Sequence, residues 1–186
     1  MKTVVVFLAD GFEECEGLLA VDLLRRAGIN VITASVMGRR EILSSHQVTL
    51  LADALAEEVD YQAADMLVLP GGMPGTLRLG ESPTVRDQCA AFARDRTVAA
   101  ICAAPSVLAG LGLLEGKRAT CHPAFEDKMA GAAVTRESVT TDGNLITGQG
   151  LGAAIPFALE LVGRLAGREE AERIASAICW PPRTGT

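Results

Sequence analysis

The sequence predicts an α/β fold: an open, largely parallel β-sheet with helices on both faces. Short β-branched runs alternate with helical patterns along most of the chain, the order expected when each strand is followed by a covering helix. The first run, Thr3 to Ala9, is apolar at nearly every position, so it belongs in the middle of a sheet covered on both sides. The run Thr97 to Ile101 stops at a cysteine where the next helical pattern starts, as a strand-to-helix connection does.

In chain order, Glu14 to Ala27 reads as a helix. Apolar residues fall at Leu18, Val21, Leu24 and Ala27, acids stand at the start, Arg25 and Arg26 at the end, and Gly28 follows. Asn30 to Val36 is the next strand, His46 to Leu51 a polar-edged one, and Met66 to Leu69 a buried one running into Pro70-Gly71-Gly72. Pro83 to Arg94 is helical with proline in its first turn. After Ile101, Cys102 is expected to open directly into a helix that carries Pro105. Ala119 to Cys121 is short and extended, and Val139 to Thr141 and Leu145 to Thr147 flank the hairpin signal Asp142-Gly143-Asn144. Gly150 to Leu165 and Glu169 to Ile178 close the chain as helices. No repeat, low-complexity tract or linker interrupts the 186 residues, so one domain over 1–186 is expected.

Composition narrows the function. A net charge of −6 without a Lys/Arg run argues against nucleic acid and anionic membrane surfaces as partners. The mean hydropathy of +0.27 is high. Even so, no apolar run approaches the roughly 20 residues of a membrane span, and the N-terminal one stops at Asp10, too early for a signal peptide. A cytoplasmic protein is expected. Five cysteines, Cys15, Cys89, Cys102, Cys121 and Cys179, are odd in number and form no C-x-x-C, which signals neither a disulfide framework nor a zinc site. Cys121 and His122 are adjacent, a poor geometry for sharing one ion, and no metal is expected.

In such sheets the crevice lies beyond the carboxyl ends of the strands. Three unusual segments arrive there: Asp10 to Glu16, Gly71-Gly72, and Cys102. The small residues around Cys102, Ala100-Ile101-Cys102-Ala103-Ala104-Pro105, suit a sharp, strained turn that lifts one side chain above the sheet. A helix start behind it would favour thiolate over thiol. Gly71 and Gly72 are either a tight turn or backbone donors for an anion, together with the N–H after Cys102, that of Ala103. Glu16 either compensates the helix dipole on a solvated surface or meets the thiol. In the second case the two acids share one net negative charge, with thiolate and neutral carboxylic acid the favoured pairing. His122 is either a base or orienter, or a hydrogen-bonded loop histidine.

Taken together, these segments resemble the DJ-1/ThiJ/PfpI superfamily, close to its YajL-like and human DJ-1-like branch. The resemblance covers nearly the whole chain. It runs through Asp10-Gly11-Phe12-Glu13-Glu14-Cys15-Glu16, Val21 to Ile29, Leu69-Pro70-Gly71-Gly72, Ala99 to Pro105, His122-Pro123, Asp127-Lys128-Met129 and Gly148-Gln149-Gly150-Leu151-Gly152. It implies a flavodoxin-like sandwich, a reactive and oxidation-prone Cys102, and a protonated Glu16 hydrogen-bonded to it. It also implies anion-stabilising N–H groups at Gly72 and after Cys102, and His122 lining the pocket. Relatives are cytosolic homodimers in which the helix bearing Arg25 and Arg26 lies near the partner chain.

Two departures stand out. Ala103 occupies the place where the protease-like branch has histidine, which removes a Cys–His peptidase dyad. His46 stands where near relatives have an arginine close to the pocket and dimer contact. The expected function is therefore a cysteine-dependent, cofactor-independent enzyme acting on small reactive dicarbonyls. Its reaction would be a glyoxalase III-type conversion of methylglyoxal to lactate, or deglycation of early adducts. The alternative is an oxidative-stress sensor or redox-regulated chaperone working through Cys102 sulfinate. A dinucleotide or flavin carrier is a remote third option, because no G-x-G-x-x-G follows the first strand.

Overall fold

A computed structural model of the chain describes residues 1–180. Eleven strands and six helices follow in order: β1 (Thr3–Leu8), α1 (Glu14–Arg26), β2 (Asn30–Ser35), β3 (Glu41–Leu43), β4 (Thr49–Leu51), β5 (Ala54–Leu55), β6 (Met66–Leu69), α2 (Gly75–Glu81), α3 (Pro83–Phe92), β7 (Thr97–Ile101), α4 (Pro105–Gly110), β8 (Arg118–Ala119), β9 (Ala133–Val134), β10 (Val139–Asp142), β11 (Leu145–Gly148), α5 (Ala154–Ala166) and α6 (Arg168–Ala177).

Seven strands form one sheet in the order β10-β11-β7-β6-β1-β2-β5, parallel except for the edge strand β10. Every residue of β1 is buried, and its alternation divides the core. Val4, Val6 and Leu8 pack with α1 and α5, whereas Val5, Phe7 and Ala9 pack with α3 and α4. This is the expected flavodoxin-like arrangement. The chain moves from β1 to β2 on one side and from β6 to β7 on the other, so the order reverses between β1 and β6, and the crevice opens there.

Several boundaries differ from the sequence reading, each for a local reason. The strand expected over His46 to Leu51 is only β4, paired antiparallel with β3 outside the main sheet. A helix over Gly75–Glu81 was hidden by Pro74, Gly75 and Gly80, yet it forms because Thr76 and Leu79 are buried against the core. The expected helix from Gly150 is a 3₁₀ turn over Leu151–Ala153 before α5. The hairpin is as expected, with Gly143 at φ 62° and the Asn144 amide donating to Ala93 and Arg96 carbonyls at 3.0 and 2.7 Å. Among the described residues, no helix is long and apolar enough to cross a membrane.

Candidate active site

Cys102 stands where β7 ends, with φ at 65°, a left-handed conformation that for a non-glycine residue costs about 1–3 kcal/mol. Its backbone is held on both sides: its N–H donates to Gly148 at 2.9 Å and its carbonyl accepts from His122 N–H at 2.9 Å. The strained turn is thus present, but the helix does not start at the thiol. A left-handed residue cannot continue a right-handed helix, and α4 begins only at Pro105 and runs six residues. Single N–H groups replace the expected helix end, and those of Ala103 and Gly72 draw the sulfur toward its anion.

Glu16 lies in the first turn of α1, behind the N-cap residue Glu13, whose Oε2 accepts from Glu16 N–H at 2.7 Å. It is not on a solvated surface: it is 1% exposed and reaches over the end of the sheet. Strands β1 and β7 are not neighbours, because β6 lies between them, which separates their backbones by roughly 10 Å. The carboxyl meets the thiol across the end of β6, where Gly71 has no side chain. A Cβ there would come within 2.6 Å of both Cys102 Cβ and Glu16 Oε2. Gly72, at φ 90°, is equally committed, since a Cβ would sit on the Glu13 backbone nitrogen.

The expected donor set needs one correction. Gly71 N–H is not free for an anion, because it donates to Glu16 Oε2 at 3.0 Å. The other carboxyl oxygen, Oε1, is buried with no hydrogen bond. Burial pushes the Glu16 carboxyl up to about 7, and the charge of Glu13 adds to the rise. Burial and the adjacent Glu16 carboxylate push the Cys102 thiol up to about 12, opposite to the depression expected from a helix end. Across the interval between these values the pair carries a single proton and one negative charge.

His122 is exposed at this rim, and its Nδ1 accepts from Ala124 N–H at 3.2 Å. That bond occupies the Nδ1 lone pair and, in the neutral ring, places the proton on Nε2. In that tautomer Nε2 is a donor. His46 stands beside the first turn of α1, with Nδ1 2.9 Å from Glu14 Oε1. Arg25 and Arg26 are not brought to the site. They stand at the far end of α1, about 14 Å along the axis from Glu16, paired with Asp53 and Asp22. The sequence reading passed over Glu13, Glu14 and Ser45, although the run of acids around Glu16 was the visible signal.

Gly71→Ala is expected to separate thiol and carboxyl and to lower thermal stability by about 1–3 kcal/mol through overpacking. A melting curve together with the rate of iodoacetamide labelling at Cys102 checks this, and an unchanged labelling rate would refute the role given to the missing side chain.

Comparison with known proteins agrees with the fold. The profile of the DJ-1/PfpI family matches residues 2–164. Protein dj-1beta of Drosophila melanogaster is 39% identical, over 95% of this chain and 96% of its own length. Oxidized DJ-1 of Toxoplasma gondii superposes with a TM-score of 0.94 at 33% identity, covering 98% of this chain and 100% of that one. A Caenorhabditis elegans relative, the glutathione-independent glyoxalase DJR-1.2, is 29% identical over 90% of each chain. A profile match over most of the length, a fly relative that aligns nearly end to end and a superposable backbone lead to one conclusion: this chain belongs to the DJ-1/PfpI family.

Proposed function

We propose that the chain is a cofactor-independent glyoxalase that converts methylglyoxal to lactate with Cys102 as nucleophile and Glu16 as proton carrier. The observation that carries this is the buried Glu16 carboxyl next to the thiol, with its Oε1 left unpaired. A bare carboxylate oxygen with no donor is costly in that position, whereas a protonated one has the sulfur to donate to. The reaction runs through the form of the singly protonated pair in which Glu16 holds the proton and the sulfur is a thiolate held by Gly72 and Ala103 N–H groups, although burial and the Glu16 charge favour the thiol. The name of the nematode relative supports the same chemistry.

The thiolate attacks the aldehyde carbon, forming a C–S bond while the carbonyl oxygen takes the Glu16 proton, which gives a hemithioacetal. The Glu16 carboxylate then removes the proton from that carbon and returns it to the neighbouring keto carbon, while the hydroxyl proton passes to the former keto oxygen, leaving a lactoyl thioester. Water cleaves the thioester, releasing lactate and restoring the thiol–carboxyl pair with its one proton. His122 donates from Nε2 to a substrate oxygen. The sequence of steps consumes methylglyoxal and water alone.

The test is lactate formation from methylglyoxal without glutathione, comparing the parent with Cys102→Ala. Product from the parent alone supports the reading, and equal rates sink it. Early glycation adducts of thiols and amines enter through the same attack and are the related substrates to assay. A second reading, in which graded peroxide converts Cys102 to sulfinate and alters binding, is supported by the partial exposure of that thiol; Cys89 and Cys121 are buried, whereas Cys15 and Cys179 are exposed and are the competing sites. Intact mass distinguishes it through a gain of two oxygens confined to Cys102.

The working form is a homodimer. Leu43, Val48 and Leu51 on the β3–β4 hairpin and Leu18 on α1 are exposed, and the hairpin is tied to the loop after β1 by Gly11 N–H to Leu43 and Ser45 N–H to Phe12. Light scattering should give twice the 19.4 kDa of one chain, falling to one chain in Val48→Asp/Leu51→Asp. A parent that runs as a monomer at micromolar concentration would refute this.

A further inference from the structure

We propose that Glu13, Glu14 and His46 form a binding site for a divalent cation of the zinc class, beside the Cys102 crevice but not using its thiol. The three offer Glu13 Oε1, Glu14 Oε1 and His46 Nδ1, and one ligand atom from each lies within 4.8 Å of the others. Each carboxylate is steadied through its second oxygen. Glu13 Oε2 accepts from Glu16 N–H at 2.7 Å, and Glu14 Oε2 accepts from the Ser45 hydroxyl at 3.2 Å. One oxygen of each is thus fixed in place by the fold and the other is left facing His46, the kind of outer support that metal ligands require.

The spacing suits a small ion. Ligand bonds of 2.0–2.2 Å in a tetrahedron place neighbouring donor atoms about 3.3 Å apart. His46 Nδ1 lies 2.9 Å from Glu14 Oε1 and 4.0 Å from Glu13 Oε1, values on either side of that edge length. Shifts below about 1 Å would complete a three-ligand set with a fourth position open to water. One imidazole and two carboxylates favour zinc, cobalt or nickel over the all-oxygen cages of calcium or magnesium.

The charge pattern makes the site distinct from an ordinary acidic surface. Asp10, Asp53 and Asp65 each pair with an arginine or lysine, at 2.6, 2.9 and 2.7 Å. Glu13 and Glu14, both largely buried, have no such partner among the described residues, and His46 alone faces them. His46 is 70% exposed as a side chain, and its Nδ1 lies 3.1 Å from the Ser45 hydroxyl as well as 2.9 Å from Glu14, so an ion binds Nδ1 by displacing these contacts.

The experiment is zinc titration of the full chain by calorimetry, with cobalt as an optical probe. One zinc per chain is expected. His46→Ala and His46→Arg should each weaken binding more than about tenfold. Cys102→Ala and Cys15→Ala should leave affinity within about twofold, since neither thiol is a ligand. Cobalt should give weak visible bands without an intense sulfur charge-transfer band. Melting temperatures confirm that the variants remain folded. Unchanged affinity in both His46 variants overturns the proposal, as does loss of binding in a cysteine variant or a cobalt–sulfur band. Its failure would leave the lactate assay untouched, because none of the three proposed ligands is a residue that the assay varies.

Discussion

Glu16→Gln is expected to lower the turnover of methylglyoxal by about 10²–10⁴-fold and to move the acid limb of the pH profile upward. In the parent, the proton that must leave to give the singly charged pair does so at about 7, the value to which burial raises Glu16. The rate should therefore climb tenfold per pH unit below that value and level off above it. Glutamine keeps the acceptor for Gly71 N–H but cannot carry a proton between two carbons. The remaining titrating group is then the thiol alone, which burial holds above its ordinary value, so the variant's rate should still be rising well above neutrality. A profile for Glu16→Gln that coincides with that of the parent in both height and midpoint would remove the carboxyl from the reaction.

The same variant should be more stable than the parent at pH 8, by about 3 kcal/mol or on the order of 10 °C in melting temperature. The sign follows from the direction of the shift. Glu16 is raised from 4.5 to about 7 on folding, so its contribution to stability is fully present below 4.5. Between 4.5 and about 7 the native state holds a proton that the unfolded chain has lost, and that contribution disappears as pH rises. Glutamine removes the penalty. The stability gain should shrink to nothing near pH 4, and a gain of constant size across this range would show that ionisation is not its source. Loss of activity with a gain in stability is the pattern expected where a fold keeps a buried acid for chemistry.

Much of the architecture was legible because it rests on local pattern. A strand apolar on both faces, such as Thr3–Leu8, has one stable location in an α/β sheet, and a helix such as Glu14–Arg26 carries its own polarity in its terminal charges. The elements missed were those held by distant contacts. Residues Glu41–Leu43 become a strand only by meeting Thr49–Leu51, and Gly75–Glu81 becomes a helix only because Thr76 and Leu79 find buried neighbours. Neither stretch has a periodicity or propensity that would announce it.

For the site, the sequence by itself determined the participants: a cysteine among small residues at a strand end, a pair of glycines and an acidic run, each at the carboxyl edge of a strand. Which of them touch was decided by the order of strands. With β6 between β1 and β7, thiol and carboxyl can meet only over a residue without a side chain, and that geometry makes Gly71 a spacer and takes its N–H out of the anion-binding set. Tertiary structure also decided the ionisation of the pair, raising both groups where a helix end had been expected to depress one, because burial is a property of everything packed around a residue and not of its neighbours in the chain.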